Sequence, residues 1–208
     1  MKNIIHSIIA SAAIFGASTL SAAPQVFDFE DPKGVNNVRF QLDAPLESIS
    51  GTGNGVSGKV KFDRSAPKAT EGRIVLDAAS LSVGNPLMKE HLHSEDWLDV
   101  KKHPSITFEL VEILDAQVDG DNILADVSGK LTLHGVTKEI QVPVRFTYLP
   151  DRLAARVGDP SAEGDLLVIR SRFEVNRNEF GIQAGQMTDK VAEDIEISLA
   201  IAGASPRS

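Results

Sequence analysis

The stretch IQVPVRFTY, Ile140–Tyr148, decides the fold. Ile140, Val142, Val144, Phe146 and Tyr148 alternate with Gln141, Arg145 and Thr147. A period of two sends every apolar side chain to one face of an extended chain, the pattern of a strand buried on one side. The same alternation recurs outward from this segment. Val38, Phe40 and Leu42 share one face, and Val60 and Phe62 another, opposite Lys59 and Lys61. Ile74 and Leu76 open a third, Ile106, Phe108 and Leu110 form a fourth, and Ile195, Ile197, Leu199 and Ile201 close the series. Turn-formers separate these runs. Asp119-Gly120-Asp121-Asn122 reads as a hairpin, and GTGNGVSG, Gly51 to Gly58, as a flexible or bulged hairpin loop. Pro150-Asp151 and Gly158-Asp159-Pro160 punctuate a longer connection. Many short strands at this spacing predict an all-β antiparallel sandwich or barrel. No repeat or low-complexity linker divides them, so one domain is expected.

One stretch breaks the alternation. Asn85-Pro86 reads as an N-cap with proline at the first helical position, and Met88 and Leu92 then fall on one side of a short helix. Ser94, with Glu95 and Asp96 behind it, predicts a second short helix with Trp97 and Leu98 on its apolar side. Pro104 ends it and restricts His103 to extended geometry.

The chain has 208 residues and no cysteine, which excludes disulfides, thiolate catalysis and Cys-ligated zinc. Lys2, an apolar run from Ile4 to about Leu20, and Ser21-Ala22-Ala23 read as a secretory signal cleaved after Ala22. The expected organisation is a signal at 1–22 and one domain at 23–208, periplasmic or secreted. The formal net charge is −8, and loss of the signal removes only Lys2 among the charged residues. An acidic domain has no general attraction to nucleic acid or to anionic headgroups. No second apolar segment is long enough to span a bilayer, so no stable membrane insertion is expected.

Site chemistry is sparse. His91 and His93 stand two apart, which on a helix turns them away from each other and prevents shared ligation. Glu95, Asp96 and Asp99 read as helix-start and solvated charges. GTGNGVSGK lacks the phosphate-loop spacing, because Val60 follows Lys59. No catalytic residue, metal or cofactor is expected. The apolar strand faces are compatible either with a packed core or with a barrel that keeps room for an apolar ligand.

Three segments carry a family resemblance. HLHSEDWLDVKKHPSITFEL, His91 to Leu110, holds S-x-D-[FW]-L-D, a basic pair and Pro-x-I-T-F; Gly129 to Lys138 is similar to G-x-L-T-x-H-G-V-T-[KR]; and Arg177 to Ile182 to R-x-[DE]-F-G-I. Val191–Leu199 resembles the last strand. Together these resemble the YceI-like, polyisoprenoid-binding, lipocalin-like proteins. The resemblance implies an extended eight-stranded antiparallel barrel with a short helical cap. It further implies an apolar tunnel for a polyisoprenoid or isoprenoid quinone, and export. The tunnel would be lined by Phe40, Leu42, Ile74, Leu76, Phe108, Leu131, Leu133, Val144 and Phe146. Trp97 would pack at the barrel or its mouth, and His134, Arg172 or Arg177 would meet a headgroup. The alternative is a filled barrel acting as a structural or interaction module, serving a membrane redox partner. Phe27 to Gly34 departs from the family pattern in lacking its His-Ser pair, and Asp43 stands near where a second histidine is expected.

Overall fold

A computed structural model describes residues 23–207. The signal segment expected at 1–22 lies outside the described residues, as does Ser208. The strands are β1 (Gln25–Asp28), β2 (Asn37–Asp43), β3 (Ser48–Gly53), β4 (Val56–Phe62), β5 (Glu71–Asp77), β6 (Ser82–Val83), β7 (Ser105–Asp119), β8 (Asn122–Leu133), β9 (Val136–Leu149), β10 (Gly164–Asn176) and β11 (Asp194–Pro206). Among the described residues two short α-helices interrupt them, α1 (Pro86–His93) and α2 (Leu153–Val157), besides three short 3₁₀ turns.

Eight strands close a ring in the order β1-β4-β5-β7-β8-β9-β10-β11, with β11 returning to β1 at Asp28↔Ala204. The additional strands β2, β3 and β6 prolong the ring at one end. There β2 pairs with β11 through Phe40↔Ile197, β3 with β2 through Phe40↔Gly51, and β6 with β3 through Gly51↔Val83. Thus β1 and β2 are successive pieces of one course along the wall, as are β3 and β4, and β5 and β6. The result is an up-and-down antiparallel barrel, which leaves few unpaired edges.

One-sided burial drives this closure. Val142, Val144 and Phe146 on β9, and Val127, Leu131 and Leu133 on β8, point inward and are buried. Their neighbours on the outer wall are charged, among them Lys59, Lys61, Arg73, Lys130, Arg145 and Arg172. That is the reverse of a membrane barrel, whose outer face is apolar. No helix of the described residues is long and apolar enough to cross a membrane.

Strand β7 outgrows its partner. Pairing with β5 covers only Ser105 to Glu109, while pairing with β8 runs on to Asp119↔Asn122. Two bulges, between Leu110 and Glu112 and between Ile113 and Asp115, insert Val111 and Leu114 as extra residues and turn them outward. The segment before β5 lies along this edge. Lys68 Nζ donates to the Leu114 carbonyl at 3.0 Å and Arg64 to the Gly120 carbonyl at 2.6 Å.

Two local expectations are corrected. GTGNGVSG is not a hairpin loop: Gly51 and Gly53 lie in β3, Gly58 lies in β4, and the chain continues along the wall through Asn54-Gly55. These glycines are required by close approach, because a Cβ on Gly51 would stand 2.6 Å from Cε1 of Phe40. The segment after Ser94 forms successive turns, not a second short helix. Ser94 closes α1, its N–H and hydroxyl both donating to the His91 carbonyl, at 3.0 and 2.7 Å. Asp99 then adopts φ +44°, a left-handed conformation that no right-handed helix continues. Two other local expectations agree: Asn85 caps α1 by accepting from the Leu87 and Met88 N–H groups, and residues 119–122 form a hairpin.

Candidate functional site: an apolar cavity open at one end

The inward faces enclose a cavity of about 490 Å³, within the ~300–1,000 Å³ range of ligand pockets. Phe40 and Leu42 of β2, Ile74 and Leu76 of β5, and Phe108 of β7 line it. So do Leu131 and Leu133 of β8, Val144 and Phe146 of β9, Trp97 and Arg177. His134 does not, although it stands at the same end of the barrel. Arg172 lies on the outer wall, paired with Glu196 at 2.6 Å. The Ser171 hydroxyl in the lumen is already engaged, donating to the Pro143 carbonyl at 2.6 Å.

The barrel is filled at one end. Phe27 meets Phe62 edge-on at 6.4 Å and Tyr148 at 6.3 Å, and Phe62 stacks on Phe146 at 5.7 Å. This aromatic plug is anchored by Asp165, which accepts from the Tyr148 hydroxyl at 2.7 Å, from the Gln25 amide, from the Asp151 N–H and from Arg207. Burial acts to raise the Asp165 pKa, but these donors outweigh it and hold it at about 2.

The lumen stays hollow toward the other end because its large rings lie back against the wall. Phe40 rests over Gly51 of the neighbouring strand, and Phe108 over Gly129. A Cβ on Gly129 would stand 2.6 and 2.7 Å from Cε1 and Cε2 of Phe108, and closer still to Cζ. With a side chain at either glycine, the ring would have to stand out into the cavity.

Three connections shape the mouth. Glu47 comes from the β2–β3 turn, Met88 and His91 from α1, and Met187 and Lys190 from the β10–β11 connection. The last is organised by Arg177, only 1% exposed. Its guanidinium donates to the carbonyls of Ala192, Ile182, Gln183, Gln186 and Val191. Burial lowers the Arg177 pKa, and the Glu193 carboxylate opposes that shift. Arg177 therefore reaches the lumen with its donors already engaged, 6.0 Å from the Trp97 ring centroid.

The three sequence motifs converge at this end. Trp97 meets Arg177, His103 packs edge-on against His134 at 4.9 Å, and His134 Nδ1 contacts the Phe180 carbonyl at 3.2 Å. His93 Nε2 contacts the Leu81 carbonyl at 2.7 Å and ties α1 to the wall. Among the described residues, no group of three or more His, Asp or Glu could hold a metal ion.

Sequence reasoning missed much of the mouth. Glu47, Met88, His91, Met187 and Lys190 come from connections, where no period marks a facing side. Further wall residues, such as Val38, Ile106, Ile197 and Leu199, carried the alternation that could have added them to the lining.

A family model described as the YceI-like domain matches residues 31–202. A UPF0312 protein of Pseudomonas syringae pv. syringae is 29% identical over 199 residues, covering 95% of this chain and 96% of its own. One from Azotobacter vinelandii is 29% identical over 146 residues, covering 70% and 73%. Among solved structures, Burkholderia cenocepacia BcnA matches with a TM-score of 0.64 at 23% identity, over 80% of this chain and 95% of that one. A polyisoprenoid binding domain from Saccharophagus degradans, implicated in plant cell wall breakdown, matches with a TM-score of 0.63 at 14% identity, over 88% and 99%.

Proposed function

The chain belongs to the YceI-like family, and on that premise we propose that it is a non-catalytic carrier or reservoir for a long-chain amphiphilic lipid, a polyisoprenoid or isoprenoid quinone. The observation that carries this reading is the apolar cavity of about 490 Å³ enclosed by the inward strand faces. A cavity of ~150 Å³ holds one benzene, or roughly 25 Å³ per carbon, so this one takes on the order of 20 carbons. At ~0.8 kcal/mol per buried CH₂ the gross gain is about 15 kcal/mol, against association costs of roughly 4–15 kcal/mol. A tail of that size needs few polar contacts.

The aromatic plug blocks the far end, so the chain enters tail-first. Its polar end stays at the mouth, beside Glu47, His91 and Lys190. A tail of more carbons than the lumen takes leaves its remainder at the mouth. The signal-like sequence at 1–22 supports a periplasmic site of action. The fold likeness to the polyisoprenoid binding domain of Saccharophagus degradans supports the ligand class.

The test is mass spectrometry of protein exported by its own host and purified without detergent, followed by organic extraction. A stoichiometric long-chain lipid supports the proposal and names the ligand. Protein that is repeatedly empty, and takes up neither added polyprenyl phosphate nor quinone, refutes it.

A further inference from the structure

The rim of the mouth carries large apolar side chains that cover nothing. Leu46 is 68% exposed, Leu87 60% and Met187 49%. They sit on three separate connections, and each adjoins the lumen: Leu46 precedes Glu47, Leu87 precedes Met88, and Met187 itself lines the cavity. Elsewhere, exposed apolar residues are carried on the outer wall or at the plugged end, as with Val118 and Leu124 on the β7–β8 hairpin.

The backbone that bears these side chains is hydrogen-bonded at each point. The Ala44 N–H donates to the Glu47 carbonyl, closing the turn that bears Leu46. The Leu46 N–H donates to the Asp189 carbonyl at 2.9 Å, tying that turn to the segment bearing Met187. Leu87 is fixed by its N–H bond to Asn85 Oδ1 at 2.9 Å. Met187 has φ +54°, a conformation costly for a residue with a Cβ, and its carbonyl accepts from both Lys190 and Val191. Three exposed apolar side chains around one opening fit an apolar medium that needs no matching shape.

We propose that this rim docks reversibly on the surface of a zwitterionic lipid bilayer, so that a chain passes between membrane and lumen without crossing water. The proposal rests on the carrier reading above and adds the surface through which loading occurs. Charge selects the kind of bilayer. Asp43, Glu47, Glu90 and Asp189 outnumber Lys89 and Lys190 around the rim, so anionic headgroups repel it. Three side chains give weak attachment, as a shuttle requires; stable anchoring takes far more apolar area.

The test uses vesicles of phosphatidylcholine and the variant Leu46→Ser/Leu87→Ser, whose positions lie outside the cavity lining. Val118→Ser/Leu124→Ser, at the plugged end, is the control. Flotation should carry the unaltered protein and the control with the vesicles. The rim variant should partition at least tenfold more weakly, and admixture of phosphatidylglycerol should weaken flotation of the unaltered protein at low salt. Equal flotation of the rim variant, or no flotation of the unaltered protein, overturns the proposal. Gel filtration that shows a dimer dissolved by the rim substitutions also overturns it, since a second copy would then cover the rim. Geranylgeraniol delivered from cyclodextrin, with occupancy read by native mass spectrometry, tests the carrier reading separately. Protein that floats but stays empty sinks that reading and leaves docking standing; protein that fills but does not float does the reverse.

Discussion

Gly129→Ala should narrow the lumen without unfolding the barrel. The new Cβ would lie 2.6 and 2.7 Å from Cε1 and Cε2 of Phe108, where ordinary carbon contacts are ~3.5–4.0 Å. Strand β8 cannot give way, since it is paired on both sides, with β7 and β9. The ring must therefore lift into the cavity by about 1.3 Å, roughly a third of its contact thickness. Lifting a ring of benzene size by that fraction removes about 50 Å³, the methyl itself staying behind the ring. Room for about two carbons is lost from a cavity of about 490 Å³. At ~0.8 kcal/mol per CH₂ this weakens binding of a chain that fills the lumen by about 1.6 kcal/mol, roughly fifteenfold. Alanine in place of glycine in a strand restricts the unfolded chain, which offsets part of the strain. The assay is an affinity series over prenols of increasing length. The optimum should shorten by about two carbons, with near-unchanged affinity for short chains. Gly84→Ala, which meets nothing within 4 Å, should leave the series untouched. A folded Gly129→Ala protein with unaltered affinities across the series would refute the argument that glycine seats keep the lumen open.

Removal of the Phe62 ring, Phe62→Ala, should cost about 3–5 kcal/mol of stability and lengthen the preferred chain, because the plug then opens into the lumen; an unchanged chain-length optimum would contradict the plug. Arg177→Ala strands five carbonyl acceptors in the β10–β11 connection. It should cost about 3 kcal/mol, a fall in Tm of roughly 10 °C in a thermal melt, and a change under 2 °C would deny Arg177 its organising part. Asp165 has a folded pKa of about 2 against 3.8 when unperturbed, so its contribution is complete above pH 4 and is lost as pH falls toward 2. That contribution is about 2 kcal/mol. Urea titrations from pH 5 to pH 2 should show a shallower acid limb for Asp165→Asn than for the unaltered protein, and parallel limbs would count against it.

The wall of the barrel was legible because burial on one side forces a period of two. Val142, Val144 and Phe146 could not share a face in any other regular structure and still alternate with Arg145. Closure into an eight-stranded barrel was legible in the family resemblance and not in the period, and which part of the interior stays hollow was not legible at all. Whether Phe108 fills the lumen or lies back depends on Gly129, a residue of another strand that meets it only after pairing. The same blindness made GTGNGVSG read as a loop, since glycine looks alike whether it serves a turn or a neighbour's ring. At the mouth, Glu47, His91 and Lys190 come from three connections, and only the fold brings them together. A serine before two acids, as at Ser94, reads as a helix start, whereas in the fold its hydroxyl faces back to His91.

Strand β7 has a consequence for how the molecule keeps to itself. Past Glu109 its outer edge has no strand beside it, and a row of free peptide groups invites another chain to add on. Each bulge breaks the even spacing that an incoming strand would need, the Lys68 ammonium occupies the Leu114 carbonyl it would seek, and the Arg64 guanidinium holds the Gly120 carbonyl at the hairpin turn. The barrel thus leaves one seam without a strand and guards it with side-chain cations. Against a self-complementary backbone edge, that is a defence by charge and irregular spacing, and it lets the β7–β8 hairpin project beyond the ring without becoming a template for aggregation.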